Sequence, residues 1–328
     1  MRRTWAVVLG ASGLLLLFSA VEAFGGPPLR GPGKKVFLRL RLKRGQVYRV
    51  KTTMDQDITQ KLPAQLGGQK QEIEQAMGMT YSFKVKDVDA DGVMSCEVTY
   101  EAMQYKMKAP MMTVEYDSED PPENVPMAAR GFAAMVGQSF QAKFTPLGKT
   151  TELTGLDKIF DRVIEKMELP EGPMRKNIEK QLKTQFGDEA MKHTMARLTG
   201  LLFPEKAVGV GDSWKETVSV ARPVALTMEQ TMTLKKREEG VATVEVDTKV
   251  SPCPDAEPMK MGTVTMSYEL KGTQTGTVTI DESTGWTTGG KLKQDLKGTM
   301  LMTGIPNAGE LKIPMLMKSS VTLEQVEE

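Results

Sequence analysis

The chain has 328 residues, with 43 Lys and Arg against 42 Asp and Glu, one His, two Cys and 24 Met. Balanced charge provides no basic field to hold a phosphate backbone, so nucleic acid is excluded as an expected partner. A lone imidazole, His193, cannot build a multi-histidine metal site. No Gly-x-Ser-x-Gly elbow or phosphate-binding glycine loop accompanies it, so neither an enzyme nor a cofactor is expected.

Residues 1–23 read as a secretory signal peptide: Arg2 and Arg3, an apolar run from Ala6 to Ala20, and a small-residue cleavage site at Val21-Glu22-Ala23. That run is about 15 residues, short of the roughly 20 that span a bilayer as a helix. The expectation is an exported chain, periplasmic or extracellular, with no permanent membrane span after cleavage. In an oxidising compartment Cys96 and Cys253 are a candidate disulfide pair.

Residues 24–35 (FGGPPLRGPGKK) form a Gly/Pro-rich linker. An N-terminal antiparallel β segment is expected over 36–154, because apolar residues recur at every second position. Val36, Leu38, Leu40 and Leu42 alternate first; Ile73 to Val85 and Met94 to Tyr100 follow. The phase slips at Ala102-Met103, which suggests a bulge. Phe140, Ala142 and Phe144, then Pro146 to Lys149, read as a hairpin with a Gly turn. A helical insert is expected over 155–203, where Leu156, Ile159, Phe160, Val163, Ile164 and Met167 make one apolar stripe. Second and third helices are expected at about Pro173 to Phe186 and Asp188 to Leu202, between Pro and Gly breaks. Alternation returns in a C-terminal antiparallel β segment, 204–328. The fold class is therefore α+β, mainly antiparallel β, with two sheet segments and a three-helix insert. The segments read as a weak internal repeat: GVMSCEV (92–98) and GVATVEV (240–246) agree in apolar phase, and Gly45 to Tyr48 resembles Gly211 to Trp214.

The stretches AVGVGDSWKET (207–217), RGQVYRVKTTMDQDI (44–58), YDS (116–118) and IDESTGW (280–286) resemble a family of secreted bacterial proteins that carries a domain of unknown function. The resemblance covers most of residues 36–325 and implies architecture, since its motifs are turn and strand signatures. At the level of fold, long strands with inserted helices are similar to the half-barrels of envelope lipoprotein carriers.

Methionines spaced by two, such as Met77 and Met79, Met259 and Met261, Met300 and Met302, and Met315 and Met317, place thioethers on one strand face. Such a face suits a greasy cavity, and also soft copper coordination. The candidate ligand cavity comprises Met77, Met79, Tyr81, Phe83, Met228, Met232, Met266, Tyr268, Met300 and Met315, with a lipid or other apolar small molecule as partner. A structural module that binds another envelope protein is the alternative. Asp87, Asp89 and Asp91 before Gly92 begin like a calcium loop, but the twelfth position is Val98, and a tight turn selects the same residues. Asp212, Ser213 and Trp214 read as a turn leading into a strand.

Overall fold

A computed structural model describes residues 35–110, 112–167, 171–172, 175–176, 179, 202–220, 224–254, 258–261, 263–305 and 308–327. Among the described residues thirteen strands follow one another: β1 (Val47–Lys61), β2 (Lys70–Val88), β3 (Met94–Ala109), β4 (Met112–Asp117), β5 (Ser139–Phe144), β6 (Thr150–Thr154), β7 (Ser213–Val220), β8 (Leu226–Glu238), β9 (Val241–Pro252), β10 (Met259–Met261), β11 (Val264–Asp281), β12 (Thr287–Ile305) and β13 (Gly309–Gln325). Among the described residues, α1 (Arg130–Met135) and α2 (Leu156–Lys166) lie between β4 and β7.

The two β segments are one sheet. Its order is β6-β5-β3-β2-β1-β13-β12-β11-β9-β8-β7, with β4 beside β3 and β10 beside β11. The first strand of the N-terminal meander pairs with the last strand of the C-terminal one, from Val50↔Gln325 to Gln60↔Met315. Every pairing is antiparallel, as the period-two pattern requires, because one face is buried and the other solvated. Along β13 Leu311, Ile313, Met315, Met317, Val321 and Leu323 are buried, while Lys312, Lys318 and Glu324 are exposed. The phase slip at Ala102 is a bulge: Thr80 pairs with Ala102 and Tyr81 with Tyr100, leaving Glu101 over.

The segment 36–42 corrects one expectation. Leu38, Leu40 and Leu42 are buried as their alternation suggests, yet the stretch is no strand and makes only the isolated bridge Val36↔Val208. Alternation reports one-sided burial of an extended chain, which does not require a ladder. This segment instead runs across the turn end of the sheet. The Leu40 N–H donates to Pro146 O (2.8 Å) and the Arg41 N–H to Thr284 O (2.7 Å). Those carbonyls belong to the β5–β6 and β11–β12 turns, and β5 lies five strand steps from β12, roughly 24 Å in a flat sheet. Adjacent residues reach both turns, so the sheet is curled. Phe203, just before β7, donates to Leu147 O (3.0 Å), joining the lead-in of one sheet edge to the turn beside the other. The result is a cup, closed at the turn end.

Under this closure an aromatic cluster ties the two segments together. Trp286 packs on Phe83 (5.1 Å, edge-on) and on Tyr48 (5.3 Å), and Phe83 on Phe144 (6.0 Å). Gly285, at φ +71°, is required there, because a Cβ would lie 2.1 Å from Arg39 O. The α2 helix appears where the stripe places it and buries Leu156, Ile159, Phe160, Val163 and Ile164. The second and third helices of the insert lie outside the described residues except for isolated positions, as does the signal segment. The short α1 was missed: its RGFAAM sequence has too few turns to show a period. Among the described residues no helix is long and apolar enough to cross a membrane.

Candidate functional site

All ten residues expected to line a cavity are buried, from Phe83 and Met232 (0% exposed) to Tyr268 (7%). Register places them on the same inward face. Met77 pairs with Met54, Met79 with Met103, Met266 with Met302 and Tyr268 with Met300, and Met228 with Val250 and Met232 with Val246. They line that face in separate stretches: β2, which bears Met77 and Met79, is six strand steps from β8, which bears Met228 and Met232. Several sulfurs have internal partners. Met79 accepts a hydrogen bond from the Tyr81 hydroxyl (3.1 Å), Met107 from Tyr105 (3.3 Å) and Met94 from the Leu42 N–H (3.3 Å). These thioethers pack and accept hydrogen bonds, which removes the need for a metal to explain them.

Across this apolar face runs one polar row. Gln75 pairs with Gln56, Gln56 with Ser319, Ser319 with Gln294, Gln294 with Gln274, Gln274 with Thr248 and Thr248 with Gln230. Seven adjacent strands thus each contribute one residue to a single transverse line, and all seven residues are buried. The rows on either side are mostly apolar: Met77, Met54, Val321, Leu292, Val246 and Met232 toward the closed end, and Ile73, Ile58, Met317, Leu296, Val250 and Met228 on the other. Within the row Gln56 Nε2 donates to Ser319 Oγ (3.1 Å). The acceptors Gln56 Oε1, Gln274 Oε1 and Thr248 Oγ1 are buried without a partner, as are Gln60 Oε1 and Thr52 Oγ1 farther along β1. A buried polar atom left unpaired costs on the order of 1–3 kcal/mol, so the row is expensive as mere filling.

The row was not anticipated, although its signal is in the sequence. Strand after strand reads apolar-x-polar-x-apolar, as in Ile73-x-Gln75-x-Met77, Met54-x-Gln56-x-Ile58, Met228-x-Gln230-x-Met232 and Leu292-x-Gln294-x-Leu296. Only the register shows that these interruptions coincide.

The other candidates resolve into structure. Asp87, Asp89 and Asp91 do not form a metal cage. Asp89 Oδ1 accepts the N–H groups of Asp91 (3.0 Å) and Val93 (2.8 Å), closing a turn in which Gly92 sits at φ +78°; Asp87 pairs with Ser95 in the ladder and faces Arg44 (3.6 Å). Among the described residues no cluster of three His, Cys, Asp or Glu could hold a metal ion. Cys96 and Cys253 are both free. Cys96 lies in β3 and Cys253 follows β9, six strand steps away, so the candidate disulfide is not formed. Burial pushes the Cys96 thiol up to about 12. Asp212 accepts from the Gly209 N–H (2.9 Å) and pairs with Lys35 (3.0 Å), which together hold its carboxyl below the usual range. The Trp214 indole donates to Leu202 O (3.0 Å), and Ser213 bonds Thr233 on the exposed face (2.8 Å), so this triplet anchors the start of β7. His193 lies outside the described residues.

The model of a family of unknown function (DUF6263) matches residues 91–287, more than half of the chain. The chain belongs to the DUF6263 family. The match runs from the turn before β3 to the start of β12 and so includes β8, β9 and β11, which carry three members of the polar row. No curated protein matches the sequence. Among solved structures, one described as lipid-protein interactions in lipovitellin is 8% identical with a TM-score of 0.48, covering 87% of this chain and 25% of that chain. DynF from the dynemicin biosynthesis pathway of Micromonospora chersina is 7% identical with a TM-score of 0.18, covering 92% of both chains. OccK7 of Pseudomonas aeruginosa is 7% identical with a TM-score of 0.19, covering 86% of this chain and 100% of that one. This DUF6263 chain thus spans about a quarter of the lipovitellin chain.

Proposed function

We propose that this DUF6263 protein is an exported, non-enzymatic binding protein that holds a lipid or another apolar molecule against the inward face of its sheet. The observation that carries this reading is a single sheet curled into a cup, whose inner lining is built from Met, Leu, Val and Ile and crossed by one polar row. Thioethers are polarizable and rotate freely, so a Met-rich lining adapts to apolar ligands of varied shape. An apolar surface with a few placed polar groups is also the usual make-up of a small-molecule site. The polar row that crosses this face holds only Gln, Ser and Thr, with no acid or base among them, which supports holding over turnover. The signal-like residues 1–23 support export; protein recovered from its natural compartment should begin at Phe24, and an uncleaved cytoplasmic chain would count against export.

The binding reading is tested by titrating delipidated protein with an environment-sensitive apolar dye, then displacing the dye with fatty acids and phospholipids. Saturable enhancement and displacement are expected. Absence of both would remove the reading and leave a structural module that binds another envelope protein.

A further inference from the structure

We infer that the transverse polar row receives the ligand's polar group, and that this group is neutral and donates hydrogen bonds, as a hydroxyl or a secondary amide does. The inference rests on the binding reading above and adds the chemical class of what is bound.

Three observations lead to it. First, the row does not satisfy itself. Side-chain amides stacked across strands can form a closed ladder, but Gln56 Oε1, Gln274 Oε1 and Thr248 Oγ1 have no partner although each residue is no more than 3% exposed. The two unpaired amide oxygens are acceptors, so what they lack is a donor. Second, the row holds no charge: every member from Gln75 to Gln230 is Gln, Ser or Thr. A carboxylate or phosphate placed there would be buried without a counter-ion, which is far costlier than burying a hydroxyl. Third, the inward-facing neighbours of Gln274 on its own strand are Gly272 and Gly276, so no side chain of β11 flanks its amide. The two amide acceptors lie on β1 and β11, three strand steps apart, or roughly 14 Å along a flat row. A ligand lying across the strands can meet both ends of that span while its chain rests on the apolar rows on either side.

The test uses the full chain and three probes that share one alkyl length: hexadecanol, its methyl ether and hexadecanoate. Each displaces a bound apolar dye. Hexadecanol is expected to bind about tenfold tighter than the ether, the worth of one net hydrogen bond, and tighter than hexadecanoate at neutral pH. In the Gln56→Met, Gln274→Met double variant the preference for alcohol over ether should vanish. Should that variant fail to fold, the near-isosteric Thr248→Val is expected to narrow the same ratio in a protein whose melting curve remains cooperative. Equal wild-type affinity for alcohol and ether, with both displacing dye, overturns the inference and leaves the binding reading standing. A variant that melts higher yet keeps the wild-type alcohol preference also overturns it, because the row is then a cost unrelated to recognition. Failure of the dye itself to bind is the separate result that removes the binding reading.

Discussion

Five strands of the N-terminal meander (β1, β2, β3, β5, β6) and the first five matching strands of the C-terminal one (β7, β8, β9, β11, β12) use the same backbone devices with different fillings. The β2–β3 ladder skips Lys86 between Val85↔Cys96 and Asp87↔Ser95; the β8–β9 ladder skips Lys235 between Leu234↔Val244 and Lys236↔Thr243. Each extra lysine reaches the glutamate one residue past the opposed pair, Glu97 and Glu245, at 3.0 Å. Gly45 donates to Val85 O (2.9 Å) and Gly211 to Leu234 O (2.7 Å). Farther on, the β5–β6 and β11–β12 ladders skip Thr151 and Thr288 at matching places. What differs is the inward side chains. Cys96 stands opposite Val85 where Val244 stands opposite Leu234, and Phe83 occupies the place of Met232. Bulges fix twist and register, so the backbone plan tolerates aromatic and thiol packing on one side and aliphatic packing on the other.

The largest expected effect separates those fillings. Phe83→Ala should cost about 3–5 kcal/mol and Met232→Ala about 2–5 kcal/mol, with Phe83 the costlier, because unlike Met232 it packs on an aromatic ring of the other half, Trp286, as well as on Phe144. Denaturant unfolding of both variants checks the order. The turns come next. Gly285→Ala should destabilise by roughly 2–4 kcal/mol, combining left-handed strain with a backbone clash, whereas Gly240→Ala, at φ +79° with nothing within 4 Å of its added Cβ, should lose only about 1 kcal/mol.

Alkaline pH should weaken the N-terminal meander selectively. Burial raises the Cys96 thiol to about 12 and the Tyr81 and Tyr100 phenols above their usual 10.0. These groups ionise first in the unfolded chain, so the folded state is fully favoured below about pH 9 and loses ground as pH rises toward the folded values. The slope is up to ~1.4 kcal/mol per pH unit for each group held neutral. Cys96→Val, which installs the residue found at the matching C-terminal position, should flatten the fall in melting temperature between pH 9 and 11; an unchanged slope would mean that the thiol plays no part. The smallest effect belongs to the paired bulges: Lys86→Met and Lys235→Met should each change stability by about 0.5 kcal/mol or less, because these ion pairs are solvent-exposed. A clear difference between them would show that the two devices carry unequal loads.

Much of this plan was legible in the sequence. Two-residue alternation located the long strands, the 3.6-residue stripe located α2, and the likeness of GVMSCEV to GVATVEV located two hairpins whose bulges coincide. Leu38 to Leu42 misled, because an extended cap buries alternate residues as a strand does. Whether Cys96 and Cys253 pair was not legible, since spacing along the chain says nothing of where a curled sheet puts its strands. The polar row was legible only in pieces: Gln56 between Met54 and Ile58 is one interruption among many until β1 is set in register with β13 and β2.

The claim on which the rest depends is that the curled face holds an apolar molecule. Native mass spectrometry of the processed protein, purified from its own compartment without detergent and compared before and after denaturation, tests it most directly. An adduct of lipid mass, carrying a hydroxyl or amide and released on unfolding, is the expected result; a folded protein of bare polypeptide mass would contradict the claim.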